Sequence, residues 1–129
     1  MIKRIKKAWA RWFLVEGTVE EAQRNLIQVL SRDLGLHVTY RDEDTVTFTR
    51  HQMSWKTTTT TAGFEHSRRA EEFPTSLYFT PHDENTTEVL LRSSEKFANR
   101  QQIAMTISNS GVVLRGERQR PKDLDLTAR

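Results

Sequence analysis

The sequence predicts an α+β domain: one long amphipathic helix, at about residues 18–34, packed on a curved antiparallel sheet of about six or seven strands. Two observations carry the prediction. Residues 18–35, TVEEAQRNLIQVLSRDLG, hold apolar side chains at helical spacing between a start and a stop signal. Most of the chain after Gly35 alternates apolar and polar residues with a period of two, which places successive side chains on opposite faces of a strand. A helix followed by antiparallel strands buries its stripe by lying on the sheet.

The helix is specified locally. Thr18 can accept from the first free amides, and Glu21 three residues on completes a capping box. Val19, Ala22, Leu26, Val29, Leu30 and Leu34 form the apolar stripe, widened by Ile27, while Glu20, Gln23, Arg24, Gln28 and Arg32 lie mostly on the other side. Gly35 stands where a left-handed stop residue belongs.

Before the helix, Arg11 to Glu16 reads as a first strand buried on both faces, broken from the helix by Gly17. After it, Leu36, Val38 and Tyr40 face one way and His37, Thr39 and Arg41 the other. Asp42-Glu43-Asp44 makes a turn into Thr45–Thr49, with Val46 and Phe48 inward. A third strand of this series runs from Met53 to Thr61, with Met53 and Trp55 inward and threonines at 57–61 favouring an extended chain. Residues 62–75 are expected as a connector with room for a helical turn around 67–72. Leu77–Thr80 and Thr87–Arg92 form a second hairpin across a turn at 81–85, and Pro81 closes its strand because it has no ladder donor.

Residues 93–111 admit two readings. Ser94 could cap a helix ending at Gly111, or Ile103, Met105 and Ile107 could alternate in a strand that turns at Asn109-Ser110-Gly111 into Val112–Leu114. The alternation favours the hairpin. Beyond residue 116 the chain is polar and is expected to be a loose tail over 117–129. Residues 1–10 form a basic arm and 11–116 the single domain.

The chain has 129 residues, 36% hydrophobic and 29% charged, with net charge +3 and no cysteine. The composition is that of a soluble globular chain and suits a cytoplasmic, reducing setting. Absence of cysteine excludes disulfides, thiolate nucleophiles and cysteine metal sites. No glycine-rich phosphate loop, G-x-S-x-G or H-E-x-x-H is present, so no catalytic residue, metal or cofactor is assigned. The four histidines show no helical or strand pairing with an acid. The acidic groups at 42–44 and 82–84 contain ligand types but read as ordinary turns, where Asp bonds its own backbone.

Charge is the one feature with a functional direction. Lys3, Arg4, Lys6, Lys7 and Arg11 give the first twelve residues +5, which leaves the rest of the chain at −2. Trp9 lies among them. Cations with an aromatic side chain suit an anionic membrane surface or the phosphates of nucleic acid. The leading expectation is therefore a non-enzymatic interaction domain whose arm (Lys3, Arg4, Lys6, Lys7, Trp9, Arg11) meets an anionic surface, nucleic acid or an acidic protein, with membrane association or homo-oligomerisation open.

The element order of strand, long helix and antiparallel strands is similar in outline to helix-grip ligand-binding domains of the START and Bet v 1 kind, without their long C-terminal helix. That outline implies the alternative: a carrier or enzyme taking a small apolar ligand between helix and sheet, lined by Leu26, Leu30, Trp55, Phe79 and Leu91.

Overall fold

A computed structural model describes residues 9–60, 63–72 and 74–122, with side-chain surroundings given outside 51–73. The expectations for the arm residues 1–8, for the inward facing of Met53 and Trp55, and for residues 123–129 lie outside what is described. In chain order the elements are β1 (Ala10–Glu16), α1 (Val19–Leu34), β2 (His37–Arg41), β3 (Thr45–Thr49), β4 (His51–Thr60), β5 (Gly63–Glu72), β6 (Thr75–Pro81), β7 (Thr86–Ser93), α2 (Phe97–Ser108) and β8 (Val113–Glu117). Six strands form an antiparallel sheet in the order β2-β3-β6-β7-β1-β8, and β4 pairs with β5 separately. The described residues form an α+β fold with two helices and a six-stranded antiparallel sheet.

The long helix has the ends its sequence specifies. Thr18 Oγ1 accepts from the Glu21 amide at 3.3 Å, and Gly35 ends the helix in the left-handed region at φ 63°. Ala22, Leu26 and Leu30 are buried against Phe13, Val15, Val46, Phe48, Leu77, Phe79, Val89 and Leu91 from the sheet. Gln23, expected on the outer side, is buried as well. Its amide nitrogen donates to the carbonyls of Asp42 and Glu43, each at 3.1 Å, and its oxygen accepts from Arg41 Nε. A polar side chain is tolerated there because the turn carbonyls supply acceptors.

That contact depends on a bulge. Val38 lies opposite Phe48, but Tyr40 lies opposite Thr47, so Thr39 is the extra residue. One extra residue reverses the alternation, so Tyr40 leaves the face shared by Leu36 and Val38 and Arg41 turns toward α1. The expected single face through Tyr40 is thereby corrected. Every residue of β2, an edge strand, is exposed.

Two further expectations are overturned. Residues 62–75 are largely not a connector: Gly63–Glu72 is β5, paired along its length with β4 from His51↔Glu72 to Thr60↔Gly63. Ten-residue pairing satisfies backbone groups that a single helical turn would leave free. The ribbon also prolongs an existing pair. In the sheet Phe48 lies opposite Thr75, and three residues further His51 lies opposite Glu72, so the β3–β6 register passes into β4–β5 without slipping.

The hairpin expected at 103–114 is instead α2 followed by β8. Ile103, Ala104 and Ile107 are buried on one helical face, while Met105, between them in the alternating reading, is 61% exposed. Positions 103 and 107 satisfy either period, and the core takes the helical one. Both helices pack on the same face of the sheet, and Asn109-Ser110-Gly111 remains a turn, with Gly111 at φ 89°.

Candidate anion-binding hollow

β1 lies between β7 and the edge strand β8, so its beginning brings three strand ends together. Ala10 lies opposite Arg92 of β7 and Trp12 opposite Glu117 of β8. The first turn of α2 lies over the same end. The result is a hollow of about 650 Å³ whose lining includes Trp9, Arg11, Arg92, Phe97, Gln101 and Arg118. Trp9 is half-buried and packed on the core, whereas Phe97 is 63% exposed.

The cations are held by aromatic rings. The Arg100 guanidinium lies 5.4 Å from the Trp9 ring centre and 5.7 Å from that of Phe97, and Arg11 lies 5.9 Å from Trp9. Such contacts stabilise a guanidinium without neutralising it. Among the described residues no carboxylate forms an ion pair with Arg11, Arg92, Arg100 or Arg118. Arg100 Nε is buried without a hydrogen-bond partner. The start of α2 adds to the positive potential: Lys96 makes no side-chain cap bond and no acid occupies the first turn. By contrast, α1 has Thr18, Glu20 and Glu21 at its start. The cluster can therefore attract an anion, stack a flat ring and offer planar donors.

Trp9 and Arg11, expected from sequence, are both here. Lys3, Arg4, Lys6 and Lys7 lie outside the described residues. Arg92, Phe97, Arg100 and Arg118 are not legible in the sequence, because they come from three other elements and the alternation at 103–107 points to a strand where α2 forms. The register of β1 with β7 is the signal that places Arg92.

The residues of the apolar-pocket alternative lie elsewhere. Leu26, Leu30, Phe79 and Leu91 belong to one core cluster and are at most 3% exposed. The side chain of Trp55 is not among those described.

A second polar site lies on the sheet face away from the helices. Trp12 Nε1 donates to Glu88 Oε1 at 3.0 Å, Arg120 donates to both Glu88 oxygens, and His82 Nδ1 lies 3.6 Å from Oε2. A hollow of about 400 Å³ beside it is lined by these Trp12, Glu88 and Arg120 side chains with Tyr78, Thr80 and Leu90. Burial opposes the Glu88 charge, but the bonds from Arg120 and Trp12, aided by His82, outweigh it and hold the carboxyl below its ordinary range. A carboxylate so held is a poor proton donor at neutral pH. Pro121, one residue past Arg120, is buried.

The acidic turns show backbone chemistry. Asp42 Oδ1 accepts from the amides of Asp44 and Thr45, and Asp83 Oδ1 from that of Asn85. The structure does bring one histidine to an acid, His82 to Glu88, six residues along and across a turn that sequence spacing did not reveal.

Comparison with protein-family models finds none that matches this chain, and no curated protein matches its sequence.

Proposed function

We propose that this chain is a non-enzymatic interaction domain that binds an anionic partner through the hollow at the start of β1, with Lys3, Arg4, Lys6 and Lys7 extending the cationic track from Trp9. The observation that carries the reading is the absence of ion pairing, among the described residues, at Arg11, Arg92 and Arg118, which line one concave site, and at Arg100, which lies over the Trp9 and Phe97 rings of that lining. Clustered like charges repel, and an anionic ligand relieves that repulsion. The arm and the hollow adjoin in sequence at Trp9, so one extended anion can meet both.

The test is retention of the full-length chain on immobilised heparin across a salt gradient. Arg92 and Arg118 are exposed, so Arg92→Glu and Arg118→Glu change charge with little effect on folding. Each is expected to elute at lower salt, and both together at lower salt still. Removal of residues 1–8 is expected to lower it further. Unchanged elution of the double charge reversal defeats the proposal.

A further inference from the structure

Resting on that reading, we infer that the hollow takes single-stranded nucleic acid, with phosphates along the arginines and an unpaired base on Phe97. The cations are spread over three strand ends. Arg92, Arg11 and Arg118 come from β7, from β1 and from just beyond β8, neighbours in that order. Arg11 lies opposite Leu91 on the core-facing side of the sheet and Arg92 opposite Ala10 on the other, so the cations surround the end of the sheet. Cations distributed around a sheet end suit a polyanion that presents several phosphates better than a single small anion. All three are arginine, whose planar fork offers paired donors to phosphate oxygens and whose face stacks on bases.

The aromatic geometry supplies the second part. Arg100 lies over the Phe97 ring, yet that residue is still 63% exposed, so the ring is available at the mouth of the hollow. Gln101 in the lining offers an amide donor and acceptor to a base edge. A base inside a duplex cannot reach such a platform, whereas an unpaired base can, and stacking tolerates any base because each has a π face. A bilayer is the competing anionic partner. The site is concave, and Trp9 is held against the core, so it is not free to wedge between lipids.

The test measures anisotropy of labelled oligonucleotides of about ten nucleotides, within the site sizes usual for single-strand binders. The probes are oligodeoxythymidine, an abasic strand of the same length, a duplex, and phosphatidylserine/phosphatidylcholine vesicles. Oligodeoxythymidine is expected to bind roughly tenfold or more tighter than the abasic strand, as one stacked base implies. Phe97→Ala is expected to abolish that difference and leave abasic binding unchanged, while Phe97→Tyr keeps it. Arg92→Glu with Arg118→Glu is expected to weaken both strands and to flatten the log K against log salt slope by roughly 0.7 for each phosphate no longer neutralised. Equal binding of thymidine and abasic strands, indifference to Phe97→Ala, or preference for duplex or vesicles overturns this inference while the anionic-partner reading stands. No binding of any of these probes, with heparin elution also unmoved by charge reversal, overturns both.

Discussion

Arg50 and Glu95 offer the sharpest test of the physical reading. Arg50 is the single residue between β3 and β4, at the root of the ribbon, and its Nε lies 3.1 Å from Glu95 Oε1. The Glu95 side chain is 0% exposed and that of Arg50 21%. Thr75 Oγ1 lies 3.4 Å from the other Glu95 oxygen, too long to compensate a charge by itself. Arg50→Met keeps most of the apolar stem and removes the cation, leaving a buried carboxylate. Breaking such a pair costs about 3–5 kcal/mol, and partial exposure of Arg50 puts this one near the lower end. With a urea slope of about 1–3 kcal/mol/M, the midpoint falls by on the order of 1.5 M. Burial already raises the Glu95 carboxyl above its ordinary 4.5, opposed by the charge of Arg50 and the Thr75 hydroxyl, so losing Arg50 raises it further. A group raised on folding contributes stability fully below its unfolded value and loses it as pH climbs through the folded one. The penalty of Arg50→Met relative to wild type is therefore small near pH 4 and grows toward pH 8. Arg50→Met with Glu95→Met removes both charges and is expected to recover most of the loss, since Thr75 Oγ1 and Ser93 Oγ still bond each other at 2.8 Å. A penalty independent of pH, or a double variant no more stable than the single, would refute the reasoning.

Two other expectations follow from local geometry. Thr18→Ala should cost about 1 kcal/mol by urea unfolding, and Gly35→Ala about 1–2 kcal/mol, with Gly35→Val costing more; no atom lies within 4 Å of an added Cβ at Gly35, so the cost there is purely of the backbone. Arg120→Ala should lower the melting temperature at neutral pH, with the effect shrinking progressively as pH falls below about 4.5 and through the lowered folded value of Glu88, because the contribution disappears once Glu88 binds a proton; a deficit that does not shrink at all on acidification would show that the Glu88 charge is not what Arg120 acts through.

Local chemistry made α1 legible, and distance hid the hollow. Thr18, Glu21 and Gly35 act on backbone groups within a few residues, so their effect is written beside them. Val46, Phe48 and the 77–92 hairpin were legible for a similar reason, since both partners lie near a turn. Ile103, Met105 and Ile107 misled because spacing four apart satisfies both periods, and only the core decides that Met105 faces out. The Thr39 bulge and the burial of Gln23 are one event, in which the turn carbonyls of Asp42 and Glu43 meet the helix. Arg92, Arg100 and Arg118 join Trp9 only once β1 is seated between β7 and β8, a topology that no local pattern expresses.

That seating has a consequence for how the chain is made. Of the described strands β1 emerges first from the ribosome, yet its nearest partner in sequence, Thr86 opposite Glu16, comes 70 residues later, and β8 later still. Until then Trp12, Phe13, Leu14 and Val15 form an apolar segment with two bare edges, the kind of nascent chain that aggregates with its neighbours. The cations at positions 3, 4, 6, 7 and 11 lie immediately beside it, in the place of gatekeepers that keep copies apart by repulsion. The charge that would later receive a ligand thus also guards the segment during synthesis, and neutralising the arm should reduce soluble yield even when the folded domain is unchanged.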